Sequence, residues 1–114
     1  MKTSELTGAA LDWAVAKCEQ YPMGIWYDED GMPMIRDDEV PEWAPSTNWT
    51  QGGPIIERER ISAGTNEDDW CADITSGETG FIRGFGSTPL VAAMRCYVAS
   101  KLGDEVEVPE GLDA

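Results

Sequence analysis

The sequence predicts an α+β protein, in which two helices pack on a small, mainly antiparallel sheet. Three observations favour this fold class. Apolar residues recur at helical spacing near both ends of the chain, and the segments between them alternate over short runs bounded by turn residues. The length of 114 residues suits one core, and a hydrophobic share of 41% is typical of a folded chain. We therefore expect a single domain over residues 1–114.

The first helix is predicted over about residues 3–20, with Thr3 or Ser4 as its cap. Its apolar positions recur near helical spacing, at Leu6, Ala10, Trp13, Ala14 and Cys18. A stretch containing proline ends this helix. Two short strands, Ile25–Tyr27 and Met32–Arg36, are then expected to form a hairpin around an Asp30-Gly31 turn.

A long loop is predicted over residues 37–54, which contain three prolines, two glycines and two tryptophans. Loops of this length are uncommon and tend to be functional. Tryptophan is a large side chain that usually packs on something, so we expect Trp43 and Trp49 to plug the core or to rim a pocket. Core packing and ligand stacking are both compatible with their positions.

An antiparallel meander is predicted in the middle of the chain. Pro54–Ser62 alternates in the manner of an edge strand, and the polar stretch Ala63–Asp69 connects it to the next strand. Trp70–Ile74 and Thr79–Arg83 are the second and third strands, separated by a Ser76-Gly77 turn.

The last helix is predicted over about residues 88–102, with one apolar stripe and with Gly103 placed to end it. An acidic tail follows, in which Glu105–Val108 has the pattern of one more short strand. Val91 and Cys96 lie off the main apolar stripe of the helix. Their position favours association into a homo-oligomer.

The charge balance disfavours several classes of partner. The chain has 22 acidic and 8 basic residues, and its net charge of -14 repels nucleic acid and anionic membranes. No apolar run is long enough to span a membrane, and no basic start leads into a hydrophobic segment, so we expect a cytoplasmic protein. The three cysteines are far apart and are expected to be free, buried thiols.

Few residues are suited to catalysis. The chain has no histidine, which removes the commonest general base and the usual zinc ligand. The acidic stretch that begins at Asp28 fails as a calcium loop, because Met32 occupies a ligand position and Pro33 the glycine position. The acidic runs 37–39 and 67–69 are expected to be solvated loop charges. Catalysis would have to rest on carboxylates or on a metal that they hold, which is the third alternative. We expect no enzyme activity, no metal and no cofactor.

The stretch RGFGSTPL, residues 83–90, precedes the last helix and has two interpretations. A serine or threonine followed by proline is typical of an ordinary helix start. The same stretch also has the composition of an anion site. Its two glycines let a ligand approach the backbone, its hydroxyls donate hydrogen bonds, and Arg83 supplies a charge.

Three further features are candidates for such a site. Trp49 offers a planar side chain on which a base can stack, and the Gly52-Gly53 turn opens the backbone. Arg58 shares a face of the predicted strand with Arg60, where salt bridges to the chain's own carboxylates are the alternative use. The candidate ligand-binding residues are Trp49, Gly52, Gly53, Arg58, Arg83, Gly84, Gly86, Ser87 and Thr88.

Three sequence blocks, near the start, the middle and the end of the chain, together resemble a known family. They are MKTSELTGAALDWAVAKCE, STNWTQGGPIIERERI and GSTPLVAAMRCYVASKLGDEVEVP. In this order they are similar to the NinX-like accessory proteins of lambdoid and other tailed phages. The resemblance implies a phage origin and a small host-directed role, carried out in the cytoplasm of the host bacterium. It supplies no catalytic residues.

Two functions are compatible with such an origin. In the first, the protein is a non-catalytic homo-oligomer, a sponge that sequesters a nucleotide-type host immune signal in a pocket lined by the candidate residues. In the second, the acidic surface binds a basic surface of a host or phage protein, as an inhibitor or a DNA mimic.

Overall fold

The computed structural model describes residues 2–19, 24–27, 33–36, 43–76 and 80–108. Within these ranges, a short 3-10 turn precedes three α-helices and five strands. In chain order they are α1 (Gly8–Glu19), β1 (Gly24–Tyr27), β2 (Pro33–Arg36), α2 (Trp49–Glu59), β3 (Ser62–Asn66), β4 (Asp69–Ser76), β5 (Gly80–Gly86) and α3 (Pro89–Leu102). The protein is therefore a small α+β fold, as the sequence predicts.

The strands form two antiparallel sheets. Strands β3, β4 and β5 make a three-stranded meander in which Asp73 pairs with Arg83 and Cys71 with Phe85. Strands β1 and β2 form a separate hairpin, with Ile25 opposite Ile35. The hairpin prediction is confirmed, whereas the Asp30-Gly31 turn and the acidic runs 28–30 and 37–39 lie outside the described residues.

Helix α3 is the central element of the core. It packs on β4 and β5 and also contacts α1 and α2. It is therefore buried on several sides, and its side chains include the fully buried Met94 and Val98. A helix surrounded in this way is apolar on more than one face. The predicted start and end of this helix are confirmed, because the Thr88 side chain accepts a hydrogen bond from Val91 N and Gly103 follows the last turn.

The predicted strand Pro54–Ser62 is wrong, and so is the last part of the predicted loop. The segment forms α2, and the Asn48 side chain caps it by accepting a hydrogen bond from Thr50 N at 2.9 Å. Gly52, Ile55 and Ile56 face the core at spacings of three and four, which is a helical pattern. The short apolar run also fits strand alternation, and tertiary packing decides between the two.

The polar stretch expected to connect two strands is itself partly a strand. Ser62–Asn66 forms β3 at the edge of the meander, and only residues 67–68 form the turn. An edge strand is held by backbone hydrogen bonds on one side and needs little apolar alternation. The sequence pattern therefore gave no signal for it.

The two ends of the described chain also differ from the prediction. Thr3 does not cap α1 but lies in the 3-10 turn, where its hydroxyl donates to the carbonyl oxygen of Gly103 at 2.7 Å. The expected strand over Glu105–Val108 is reduced to a single bridge between Lys2 and Glu105. These contacts hold the first residues of the chain beside the segment that follows α3.

Candidate functional site

The candidate residues predicted from the sequence do not converge on one site. Trp49, Ser87 and Thr88 line one cleft, and Arg83 and Gly84 line a second. The other four candidates line neither cleft: Gly52, Gly53, Arg58 and Gly86. The two clefts differ in chemistry and are described separately.

The first cleft lies between the starts of α2 and α3 and has a volume of about 360 Å³. We call it the α2–α3 cleft, and its lining residues are Ser46, Thr47, Trp49, Ser87, Thr88, Pro89, Leu90 and Val91. Gly52 brings the two helices together, because a Cβ added to it would lie 2.6 Å from the Leu90 Cδ2 atom and 2.5 Å from the Pro45 carbonyl oxygen. Gly52 is therefore a packing glycine within a helix rather than part of a turn.

No residue that lines the α2–α3 cleft carries a charged side chain. The cleft instead faces the first turns of two helices, where the backbone dipoles place partial positive charge. The side-chain caps already occupy the amides of Thr50 and Val91. The positive electrostatic potential of the cleft therefore comes from the dipoles of the two helices more than from a group of free backbone N–H donors.

The two tryptophans of the predicted loop have different environments. Trp43 is only 8% exposed and donates from Nε1 to the Asp12 carbonyl oxygen at 2.8 Å, so it packs in the core. Trp49 is 56% exposed and lines the cleft. The sequence allowed either core packing or ligand stacking for these tryptophans. Trp43 packs in the core, whereas Trp49 is available for stacking.

Ser46 supports one wall of this cleft through a buried contact with α1. Its backbone N–H donates to Asp12 Oδ1 at 2.9 Å. Burial raises the pKa of the Asp12 carboxyl to about 6, although the contact with Ser46 partly offsets that rise. The Ser46 hydroxyl is buried and forms no hydrogen bond of normal geometry within the described part of the chain.

The second cleft lies among the N-terminal residues, β5 and the second half of α3, and has a volume of about 230 Å³. We call it the terminal cleft, and its lining residues are Lys2, Thr3, Ser4, Arg83, Gly84, Phe85, Arg95, Ala99, Asp104 and Glu105. Arg83 projects from the outer face of the sheet, where its Nε donates to Asp73 Oδ1 at 2.7 Å. This hydrogen bond raises the pKa of Arg83.

The two glycines of the RGFGSTPL stretch face α3. A Cβ on Gly84 would lie 2.6 Å from both Ala92 O and Cys96 N, and one on Gly86 would lie 2.7 Å from Ala92 N. Both glycines therefore allow β5 to approach the helix closely. Helix α3 covers the backbone of both glycines on that side. The helix cap, together with the packing of β5 on α3, therefore accounts for these glycines without a ligand.

Arg58 is held in an ion-pair network on the surface between α1, α2 and α3. Its two terminal nitrogens bind the Glu19 carboxylate at 2.9 and 2.6 Å, and its Nε binds Glu59 at 2.8 Å. The Tyr97 hydroxyl also donates to Glu19. Burial opposes ionisation of Glu19, but the bonds from Arg58 and Tyr97 outweigh it and lower the pKa. Arg58 is thus used in internal salt bridges.

Arg95 lines the terminal cleft and was missed by the sequence analysis. Its Nε donates to Leu6 O at 2.9 Å and its Nη1 donates to Phe85 O at 2.7 Å. The signal was present, since an arginine in the middle of an apolar helix is unusual unless it has a structural or binding role. Ser46 was missed because nothing in the sequence shows that its neighbours bury it.

The three cysteines are free thiols; Cys96 is buried, whereas Cys18 and Cys71 are only partly buried. Cys18 and Cys96 are poor nucleophiles. Burial raises the pKa of Cys96 to about 11 and that of Cys18 to about 12, so little thiolate exists at neutral pH. Cys96 is buried with its Sγ 3.1 Å from Ile82 O, so the expectation that it forms an exposed oligomer surface is wrong. Among the residues whose exposure the structure describes, the exposed large apolar ones are instead Trp49, Phe81 and Phe85.

The described residues contain neither a metal-holding cluster nor a membrane-spanning helix. No group of three or more Cys, Asp or Glu side chains is arranged to hold a metal ion. Within the same ranges, none of the helices combines the length and the apolar character needed to cross a bilayer.

The comparison with known proteins identifies the family. No curated protein matches the chain closely enough to be reported. Residues 2–101 match the sequence model of the phage family described as "Bacteriophage P22, NinX". The match covers α1, α2, all five strands and all but the last residue of α3, and it confirms the resemblance carried by the three sequence blocks. The chain therefore belongs to the NinX family of bacteriophage proteins.

Proposed function

We propose that this phage protein is a non-catalytic binding protein that takes up a nucleotide-type small molecule in the α2–α3 cleft. In the infected cell, such binding sequesters a nucleotide signal of host defence. One observation carries the proposal: a tryptophan that is 56% exposed rims a cleft with no charged lining residue, in a chain of net charge -14.

The aromatic surface supports recognition of a base. Stacking of a nucleobase on an aromatic side chain is worth about 1–3 kcal/mol and is tolerant of base identity. The cleft volume of about 360 Å³ falls within the range of about 300–1,000 Å³ that is usual for sites of small organic ligands. A single nucleotide or part of a larger one fits these dimensions.

The charge distribution supports recognition of a phosphate next to the base. Each helix start carries roughly half a positive elementary charge, and the starts of α2 and α3 both face the cleft. The many carboxylates elsewhere are screened over about 8 Å at physiological salt. Nearby dipoles therefore outweigh the distant acidic residues, and the hydroxyls of Ser87 and Thr88 add further hydrogen-bonding groups.

The lining residues support binding without turnover. They provide hydroxyl groups, one indole and aliphatic surface, but no carboxylate, thiol or amine that can act as a general base.

Calorimetric titration with ADP-ribose and with cyclic di-AMP tests this proposal. We expect at least one of them to bind much more tightly than about 1 mM, which corresponds to roughly -4 kcal/mol. We expect Trp49→Ala to weaken that binding about tenfold or more, from the loss of stacking. Phe81→Ala is the matched control, since Phe81 is a similarly exposed aromatic residue outside both clefts. If both compounds bind no tighter than millimolar, or if the two variants behave alike, the proposal is wrong.

A protein-binding role is the second candidate, and the outer face of the meander favours it. Phe81 and Phe85 are 61% and 46% exposed on this face, and the exposed acidic residues 67–69 lie where β3 turns into β4. Aromatic residues next to acidic ones suit a basic protein surface. Affinity capture from host lysate, with Phe81→Ala as the comparison, tests this role. Recovery of no partner at low or moderate salt would count against it.

A further inference from the structure

Three basic residues line the terminal cleft, in a protein that has few of them. Lys2, Arg83 and Arg95 all line it, and they are three of only 8 basic residues in the chain. They come from the N-terminal residues, from β5 and from α3, so only the fold brings them together. Chance alone would surround such a cleft mainly with carboxylates.

Arg95 is held in position without a compensating carboxylate. Two backbone carbonyl oxygens, from Leu6 and Phe85, fix its guanidinium group. No ion pair to Arg95 forms among the described residues, whereas Arg58 and Arg83 both have carboxylate partners. Burial lowers the pKa of Arg95, but an arginine remains charged at neutral pH. A half-buried cation with unused donors is a preorganised partner for an oxyanion.

The same cleft contains two carboxylates, which restricts the ligand. Asp104 and Glu105 follow α3 and lie beside the first residues of the chain, through the Thr3 N bond to Asp104 O at 2.8 Å and the bridge from Lys2 to Glu105. Simple anions are repelled by these two groups. Carboxylates are, however, good acceptors for the hydroxyl groups of a sugar.

We propose that the terminal cleft binds a small sugar phosphate, with the phosphoryl group on Lys2 and Arg95 and the sugar hydroxyls on Asp104 and Glu105. The cleft volume of about 230 Å³ is below the usual range for drug-sized ligands, which suits a single phosphorylated pentose. This site is separate from the α2–α3 cleft and does not depend on the function proposed there.

Calorimetry with ribose 5-phosphate, inorganic phosphate and ribose tests this inference on the full chain. We expect ribose 5-phosphate to bind about tenfold more tightly than inorganic phosphate, and ribose to bind less tightly than either, because both halves of the ligand contribute. Lys2→Gln should weaken ribose 5-phosphate binding about tenfold through the loss of a charged donor. Arg60→Gln is the matched control, since it removes the same charge from an exposed residue outside the cleft.

Glu105→Gln gives a second readout with the opposite sign. It should weaken ribose 5-phosphate binding but strengthen inorganic phosphate binding, because it removes both a hydroxyl acceptor and a repelling charge. Trp49→Ala should leave ribose 5-phosphate binding unchanged, which separates this site from the α2–α3 cleft. The inference is overturned if ribose 5-phosphate binds no tighter than inorganic phosphate, or if Lys2→Gln and Arg60→Gln have equal effects.

Discussion

The two clefts differ in the charged groups that surround them. The α2–α3 cleft has no charged side chain and relies on helix dipoles and an exposed indole, whereas five charged side chains line the terminal cleft. A glycine packed against α3 adjoins each cleft: Gly52 lies against Leu90, which lines the first, and Gly84 lines the second. This difference shows that positive electrostatic potential in an acidic protein can come from the backbone. In that case no charged residue in the sequence indicates where it lies.

The largest expected effect concerns the glycine that sets one wall of the terminal cleft. Gly84→Ala places a Cβ 2.6 Å from two backbone atoms of α3, so the strand and the helix must move apart. We expect a loss of about 3 kcal/mol in the free energy of unfolding, at the upper end of overpacking effects. Chemical denaturation measures it.

Gly64→Ala is the control for this prediction. Gly64 lies in β3 with open space where a Cβ would stand, and its exchange should change the free energy of unfolding by no more than about 0.5 kcal/mol. Equal effects of the two substitutions would show that close packing on α3 does not set the wall of the terminal cleft.

The next effect concerns the buried support of the α2–α3 cleft. Asp12 has a pKa raised from 3.8 to about 6 by burial, so the folded state holds its proton more tightly than the unfolded state does. Stability from this group is fully present below about pH 4 and is lost as the pH rises through about 6. Asp12→Asn keeps an acceptor for Ser46 N but cannot ionise.

We therefore expect Asp12→Asn to match the wild-type stability near pH 4 and to exceed it by about 2 kcal/mol above pH 7. Denaturation curves across this pH range measure the difference. A gain that is independent of pH, or a loss at high pH, would contradict a buried carboxyl with a raised pKa beneath this cleft.

The smallest effect concerns the cap of α3, which lines the α2–α3 cleft. Thr88→Ala removes the acceptor of the Val91 N–H bond and should lower the free energy of unfolding by about 1 kcal/mol. Thr88→Ser retains the hydroxyl and should cost much less. If alanine and serine are equivalent in thermal denaturation, the cap contributes nothing to the helix start on which the cleft depends.

The sequence predicted α3 and the β1–β2 hairpin well because their signals are local. Thr88, Pro89 and Gly103 mark both ends of the helix, and turn residues bound the strands. Helix α2 was missed because two glycines and Pro54 lower its helical propensity, and only the contact of Gly52 with Leu90 reveals why the segment is helical. Propensity is a weak guide where tertiary packing decides.

The site was only partly predictable for the same reason. Trp49 and Thr88 were recognised from their own chemistry, and the structure brings them to one cleft. Arg58 pairs with Glu19, which is 39 residues away in the sequence. No local sequence pattern shows that this ion pair neutralises the charge of Arg58. Lys2 and Glu105 are still further apart in sequence but adjacent in the fold.

The central claim is that a nucleotide-type ligand binds at the starts of α2 and α3. Amide chemical-shift mapping by NMR, with ADP-ribose or cyclic di-AMP added to the isotopically labelled protein, tests it most directly. We predict that the largest shifts occur at residues 46–52 and 87–92, which surround the α2–α3 cleft. The absence of shifts with both compounds, or shifts confined to the outer face of the meander, would contradict the claim.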